Sequence, residues 1–125
     1  MSKAFIILLI LFLHIIADFN LQGWMATGKT QKYWKENYPD KFYRYDYICV
    51  LIMHSFTWTF MIMLPIAFIK GFNLDILFIL VFIFNIIMHI WIDDQKANKG
   101  LINLWTDQLC HIVQLICTII IFLFI

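Results

Sequence analysis

Charge is what this sequence has least of. Only 14% of its residues are Asp, Glu, Lys or Arg and 63% are hydrophobic, against about 25% and about 45–50% in soluble globular chains. Two prolines and four glycines are too few for a low-complexity or disordered chain. The three cysteines, Cys49, Cys110 and Cys117, form no C-x-x-C pair and are odd in number. Neither a disulfide framework nor a zinc ribbon is indicated, and all three are expected as free thiols inside helices. A net charge of +1 offers no general attraction to phosphate backbones, so no nucleic-acid partner is expected. No P-loop, G-x-S-x-G or H-E-x-x-H motif is present.

What remains is apolar bulk, with 13 Phe, 5 Trp and 5 Tyr among 125 residues, more than a soluble core of that size can hide. A helix crosses the roughly 30 Å hydrocarbon layer with about 20 apolar residues. Four stretches qualify: about 4–24, 47–69, 74–93 and 104–125. The expected fold is an all-α integral membrane protein, a single membrane domain over 1–125 built as a four-transmembrane-helix bundle. Lys3 before an apolar run resembles a signal peptide, but no A-x-A cleavage pattern follows and the apolar pattern continues to Trp24, so the first span is read as retained. Lys29, Lys32, Lys35, Lys41 and Arg44 fall in the first loop and Lys96 and Lys99 in the third, against Lys3 and Lys70 on the other side. By the positive-inside rule, loops one and three face the cytoplasm and both termini lie outside. The aromatic and basic first loop, 26–46, has a composition suited to the headgroup layer.

Ionisable side chains inside membrane spans are expensive and mark function. Each span holds one histidine: His14, His54, His89 and His111. Three have a carboxylate one turn away, in the pairs His14/Asp18, His89/Asp93 and Asp107/His111, which places both members on one helix face. Only His54 lacks one. The stripes extend as His14-Asp18-Gln22, Asn85-His89-Asp93 and Asn103-Asp107-His111. Because the helices alternate in direction while the order of His and Asp reverses in the fourth, every His is deeper and every Asp nearer the cytoplasm. The four imidazoles are expected in one layer and Asp18, Asp93 and Asp107 in a second layer above it. Asp94 and Gln95 lie one step round the helix, at the boundary.

Four segments resemble a known family. His14–Ala26 reads H-I-I-A-D-F-N-L-Q-G-W-M-A with Lys29 just after it, and His54 lies in the first half of the second span; H-I-W-I-D-D-Q-K then carries His89, Asp93 and Lys96, and D-Q-L-C-H carries Asp107, Gln108 and His111. Together they resemble a group of small bacterial and phage membrane proteins defined only as domain of unknown function thirty-three-oh-seven. The resemblance covers nearly the whole chain and implies a protein of the bacterial cytoplasmic (inner) membrane, without implying a reaction. This chain departs in its longer aromatic first loop.

Imidazoles and carboxylates converging inside a helix bundle are ligand types for a divalent transition metal, Zn, Mn or Fe, rather than Mg or Ca. The expected ligands are His14, Asp18, His54, His89, Asp93, Asp107 and His111, with Asp18, Asp93 and Asp107 also expected to be catalytic. Gln22, Asn85, Lys96, Asn103 and Gln108 are expected to orient them from behind. Seven candidates exceed one tetrahedral ion and suit two ions, or one ion and a catalytic carboxylate. A bound ion near the cytoplasmic headgroups can activate water against a phosphoester or acyl bond, so the leading expectation is a metal-dependent hydrolase of a lipid or isoprenoid phosphate. Competing classes are a metal-ion or proton transporter, a haem carrier and a structural subunit with a polar core. In intact cells, the Thr30→Cys protein on a background free of other cysteines should resist a membrane-impermeant thiol reagent and react once the cells are permeabilised. Labelling from outside would reverse the orientation.

Overall fold

A computed structural model describes residues 1–125, and every element in it is helical. Four helices are long and apolar enough to cross a membrane. They are α1 (Lys3–Ile15), running on through a wide π-helical turn at Ile16–Asn20, α4 (Asp46–Ile69), α5 (Ile76–Ala97) and α6 (Leu104–Leu123). Between the first two lie the short helices α2 (Met25–Gly28) and α3 (Gln31–Asn37) and a single 3-10 turn at Lys41–Tyr43. The first loop is therefore structured, and α2 and α3 pack on α4.

Side-chain caps fix the helix starts, satisfying backbone N–H groups that have no partner inside the helix. Ser2 accepts from Phe5 N–H, Asp75 from Phe78 N–H and Asn103 from Thr106 N–H. Three ends differ from the sequence expectation. The first span stops at Asn20 rather than Trp24: Leu21 N–H bonds back to the Ile16 carbonyl, Gln22 Nε2 donates to the Asp18 carbonyl, and Gly23 turns the chain at φ +52°. The third begins at Ile76, because Asp75 caps it, and continues beyond Asp93 to Ala97, because Asp93 faces inward rather than toward water.

The four long helices close a ring in which α4 lies between α1 and α5, and α6 lies between α5 and α1. Large apolar side chains such as Phe12, Phe19, Phe56, Phe60, Phe84, Trp91 and Val113 point outward and are exposed, as a lipid-facing surface requires. Inside, the bundle divides along its axis. Toward the termini the core is apolar, built by Ile6, Ile10, Ile62, Ile66, Phe78, Leu115, Ile119 and Leu123. Toward the end carrying α2, α3 and the α5–α6 loop it is polar: His14, Asp18, His54, His89, Asp93, Asp107 and His111 are all buried. All three cysteines are free thiols within helices.

Over that polar end lies the α2–α3 segment. The Trp24 indole crosses Gly28 so closely that a Cβ there would stand 2.6 Å from the ring, which excludes any larger residue without a shift. The Gly28 carbonyl accepts from Trp34 Nε1, and Asn98 at the end of α5 clasps the next turn by donating to the Lys29 carbonyl and accepting from Gln31 N–H. These contacts deliver the Lys29 side chain into the bundle.

At the opposite end, Lys70 and the Phe78 N–H hold the Asp75 carboxyl below its ordinary value. A carboxyl depressed in the folded state stabilises the fold above its unfolded pKa, and that contribution is lost as pH falls through the folded value. Thermal unfolding in detergent should show wild type above Asp75→Asn near neutral pH, with the two converging below the ordinary carboxyl value of 3.8. Asn keeps the cap, so the difference reports the ion pair.

Candidate metal centre

The site lies about 10–12 Å inside the α2–α3 end, judged from helix rise to His54, His89 and His111. Asn85, His89 and Asp93 share the inner face of α5, and Asp107, His111, Gln114 and Thr118 that of α6. His54 projects from α4, and the π-helical turn carries Asp18. Such turns re-aim a side chain by widening the helix locally and are common at functional sites.

Four donor atoms face one another. His54 Nε2 is 3.2 Å from His89 Nε2, 3.4 Å from Asp18 Oδ1 and 3.3 Å from Asp93 Oδ2. His89 Nε2 lies 3.9 Å from Asp18 Oδ1 and 3.7 Å from Asp93 Oδ2. Donor atoms of these four residues all fall within 4.8 Å of one another, and so do those of a second group, Asp18, Asp107 and His111. Asp93 bridges toward that second group, since its Oδ1 is 3.3 Å from His111 Nε2. The rings form a column, with Trp58 stacked on His89 at 4.3 Å between centroids and His89 on His111 at 4.2 Å.

His14 is placed differently from the expectation. The Trp58 indole can only donate, and its Nε1–H lies 2.8 Å from His14 Nδ1, so that nitrogen carries the lone pair. The proton is then on Nε2, which donates to Gln108 Oε1 at 3.1 Å. Gln108 Nε2 in turn donates to Asp18 Oδ2 at 2.7 Å and Asp107 Oδ2 at 3.1 Å. Both His14 nitrogens are thus engaged, and His14 joins neither ligand group. Its contacts lead instead to a relay that orients two carboxylates.

Of the residues expected behind the ligands, Gln108 makes that relay, and Lys96 is 3.5 Å from Asp107 Oδ2. Asn85 sits deeper, donating to Thr118 Oγ1 and accepting from Gln114 Nε2. Gln22 reaches only the Asp18 carbonyl, and Asn103 is the exposed α6 cap. Asp94 pairs with Asn98 and Lys99 at the boundary.

Three contributors are not among the expected site residues. Lys29 is 9% exposed and its Nζ lies 2.7 Å from Asp93 Oδ2. Trp58 fixes the His14 tautomer, and Gln114 accepts from His111 at Nδ1. Gln114 and Thr118 continue the α6 stripe beyond His111 at helical spacing, which is a signal the sequence offers. Comparison with known proteins finds no match: no family model, no curated protein and no solved structure aligns with this chain.

Nitrogen NMR of histidine-labelled protein should show His14 protonated at Nε2 with Nδ1 accepting a hydrogen bond. Trp58→Phe should release that tautomer while the bundle stays folded. A His14 signal unchanged by Trp58→Phe would break the proposed relay.

Proposed function

We propose that the chain is an integral protein of a bacterial cytoplasmic membrane, akin to the family its four motifs resemble, and that it binds a divalent transition metal to hydrolyse a lipid or isoprenoid phosphate at the cytoplasmic side. The observation that carries metal binding is the mutual spacing of His54, His89, Asp18 and Asp93. A tetrahedron built on bonds of about 2.0–2.1 Å has edges of about 3.3–3.4 Å; the five separations that involve a histidine run from 3.2 to 3.9 Å, and all four donor atoms lie within 4.8 Å of one another. Two imidazoles and two carboxylates favour Zn, Mn or Fe over all-oxygen cations.

Support for an anionic substrate comes from Lys29 and Lys96, the two ammonium groups beside the carboxylates. When bound, a divalent ion polarises a phosphoryl oxygen and makes a water more acidic. The lysines draw in and orient the phosphate, and the Trp58–His14–Gln108 relay holds Asp18 and Asp107 in place. Transport is less well supported, because polar groups stop at Thr118 and the core beyond it is Ile62, Ile66, Ile119 and Leu123.

Protein purified in detergent without chelator should retain metal by elemental analysis, and Asp93→Asn or His54→Ala should lose it. Free metal at one hundred times its Kd should stabilise the wild type by about 2.7 kcal/mol. Chelation should abolish phosphate release from lipid-phosphate substrates, and metal should restore it. Full activity of metal-free protein would refute the hydrolase reading, and equal stability with and without metal would refute the site.

A further inference from the structure

Resting on the metal-binding reading above, we infer that the centre takes a second divalent ion, held by His111, Asp107 and Asp93, with Asp18 shared between the two ions. The reasoning begins with a hydrogen-bond direction. Gln114 Nε2 donates to the Asn85 backbone carbonyl, which can only accept, so the Gln114 amide has one orientation and its Oε1 faces His111 Nδ1 at 3.1 Å. That oxygen can only accept, so Nδ1 carries the proton. The lone pair of a neutral His111 is then on Nε2, which points at two carboxylate oxygens, Asp93 Oδ1 at 3.3 Å and Asp107 Oδ1 at 3.5 Å.

A lone pair facing two buried oxygens is repulsive unless a proton or a metal ion stands between them. Asp107 makes the need plainer. The residue is 2% exposed, its Oδ2 is served by Gln108 and Lys96, and its Oδ1 has no hydrogen-bond partner. Proteins fix a metal-ligating histidine by having its other ring N–H donate to a hydrogen-bond acceptor, the role Gln114 Oε1 plays here.

Shared carboxylates tie this position to the first. Asp18 belongs to both donor groups, and Asp93 presents Oδ2 to His54 and Oδ1 to His111. Ions joined by such carboxylates fall in the roughly 3.5–4 Å range of two-metal sites that clamp a phosphoester from both sides. Three histidines and three aspartates for two ions leave coordination positions free for water and phosphate.

The test uses full-length protein in detergent, loaded with Mn²⁺ and dialysed. Elemental analysis should count two ions per chain, and electron paramagnetic resonance should show an exchange-coupled pair. Asp107→Asn should retain one ion with an isolated Mn²⁺ spectrum, and Gln114→Leu should weaken the second ion by about 10–100-fold while sparing the first. One ion per chain in wild type, with an isolated spectrum that Asp107→Asn leaves unchanged, would overturn the second site alone and assign the cation at His111 Nε2 to a proton. No ion at all would overturn both readings. The wild-type count and spectrum decide the question even if a variant fails to fold.

Discussion

Asp93 is a carboxylate 3% exposed inside a helix whose outer face is Ile, Phe and Trp, and a charge so placed must be met by donors or cations on every side. Its Oδ2 meets Lys29 and His54, and its Oδ1 meets His111. Those partners come from the α2–α3 segment, α4 and α6, so one charge joins three parts of the chain to α5. Asp18 repeats the pattern on the π-helical turn after α1, meeting His54 from α4 and Gln108 from α6. The apolar half of the bundle needs only shape to pack. The polar half requires these partners, and its orientation follows from them.

Two relays keep the partners in one protonation pattern. Trp58 sets His14, which sets Gln108 and through it Asp18 and Asp107. The Asn85 carbonyl sets Gln114, which sets His111. Each begins at a group that can play only one role, an indole N–H or a peptide oxygen, and each ends at a carboxylate or imidazole of the donor cluster. Satisfied buried networks of this kind resist rearrangement, because any flipped amide leaves two groups unpaired in a low-dielectric interior. Conversely, His54 Nδ1 and His89 Nδ1 have no partner, so nothing within the chain fixes those two rings through their far nitrogens. Stacking does so for His89, pressed between Trp58 and His111.

The four spans were legible as apolar runs of membrane-crossing length and the polar stripes as four-residue periodicity, both of which a single sequence displays in full. Side-chain partners were not, because helical spacing reports a shared face without saying which nitrogen of an imidazole meets which atom. His14, with a carboxylate at i+4, is occupied by Trp58 and Gln108, whereas His54, without one, faces the other three donors of its group. Asn103 lies in register with Asp107 but is spent on capping α6. Trp58 counted as apolar bulk, yet its one N–H fixes the first relay. Lys29 stood in the first motif, but its inward turn was not legible, since it is the close crossing of Trp24 over Gly28 and the clasp of Asn98 that turn that lysine inward while Lys32 stays exposed.

The clasp on Lys29 bears on how such a protein is made. Its ammonium sits against Asp93 Oδ2, the same oxygen that faces His54. The chain thus carries its own counter-charge for the most buried part of the cluster, and burial of that carboxylate during membrane insertion does not wait on the cell's supply of ions. Because Asn98 holds the Lys29 backbone rather than its side chain, the ammonium can swing off Asp93 without unfolding the segment above it. A tethered cation of this kind balances the buried carboxylate in the assembled bundle, and a divalent ion bound at Asp93 would have to displace it.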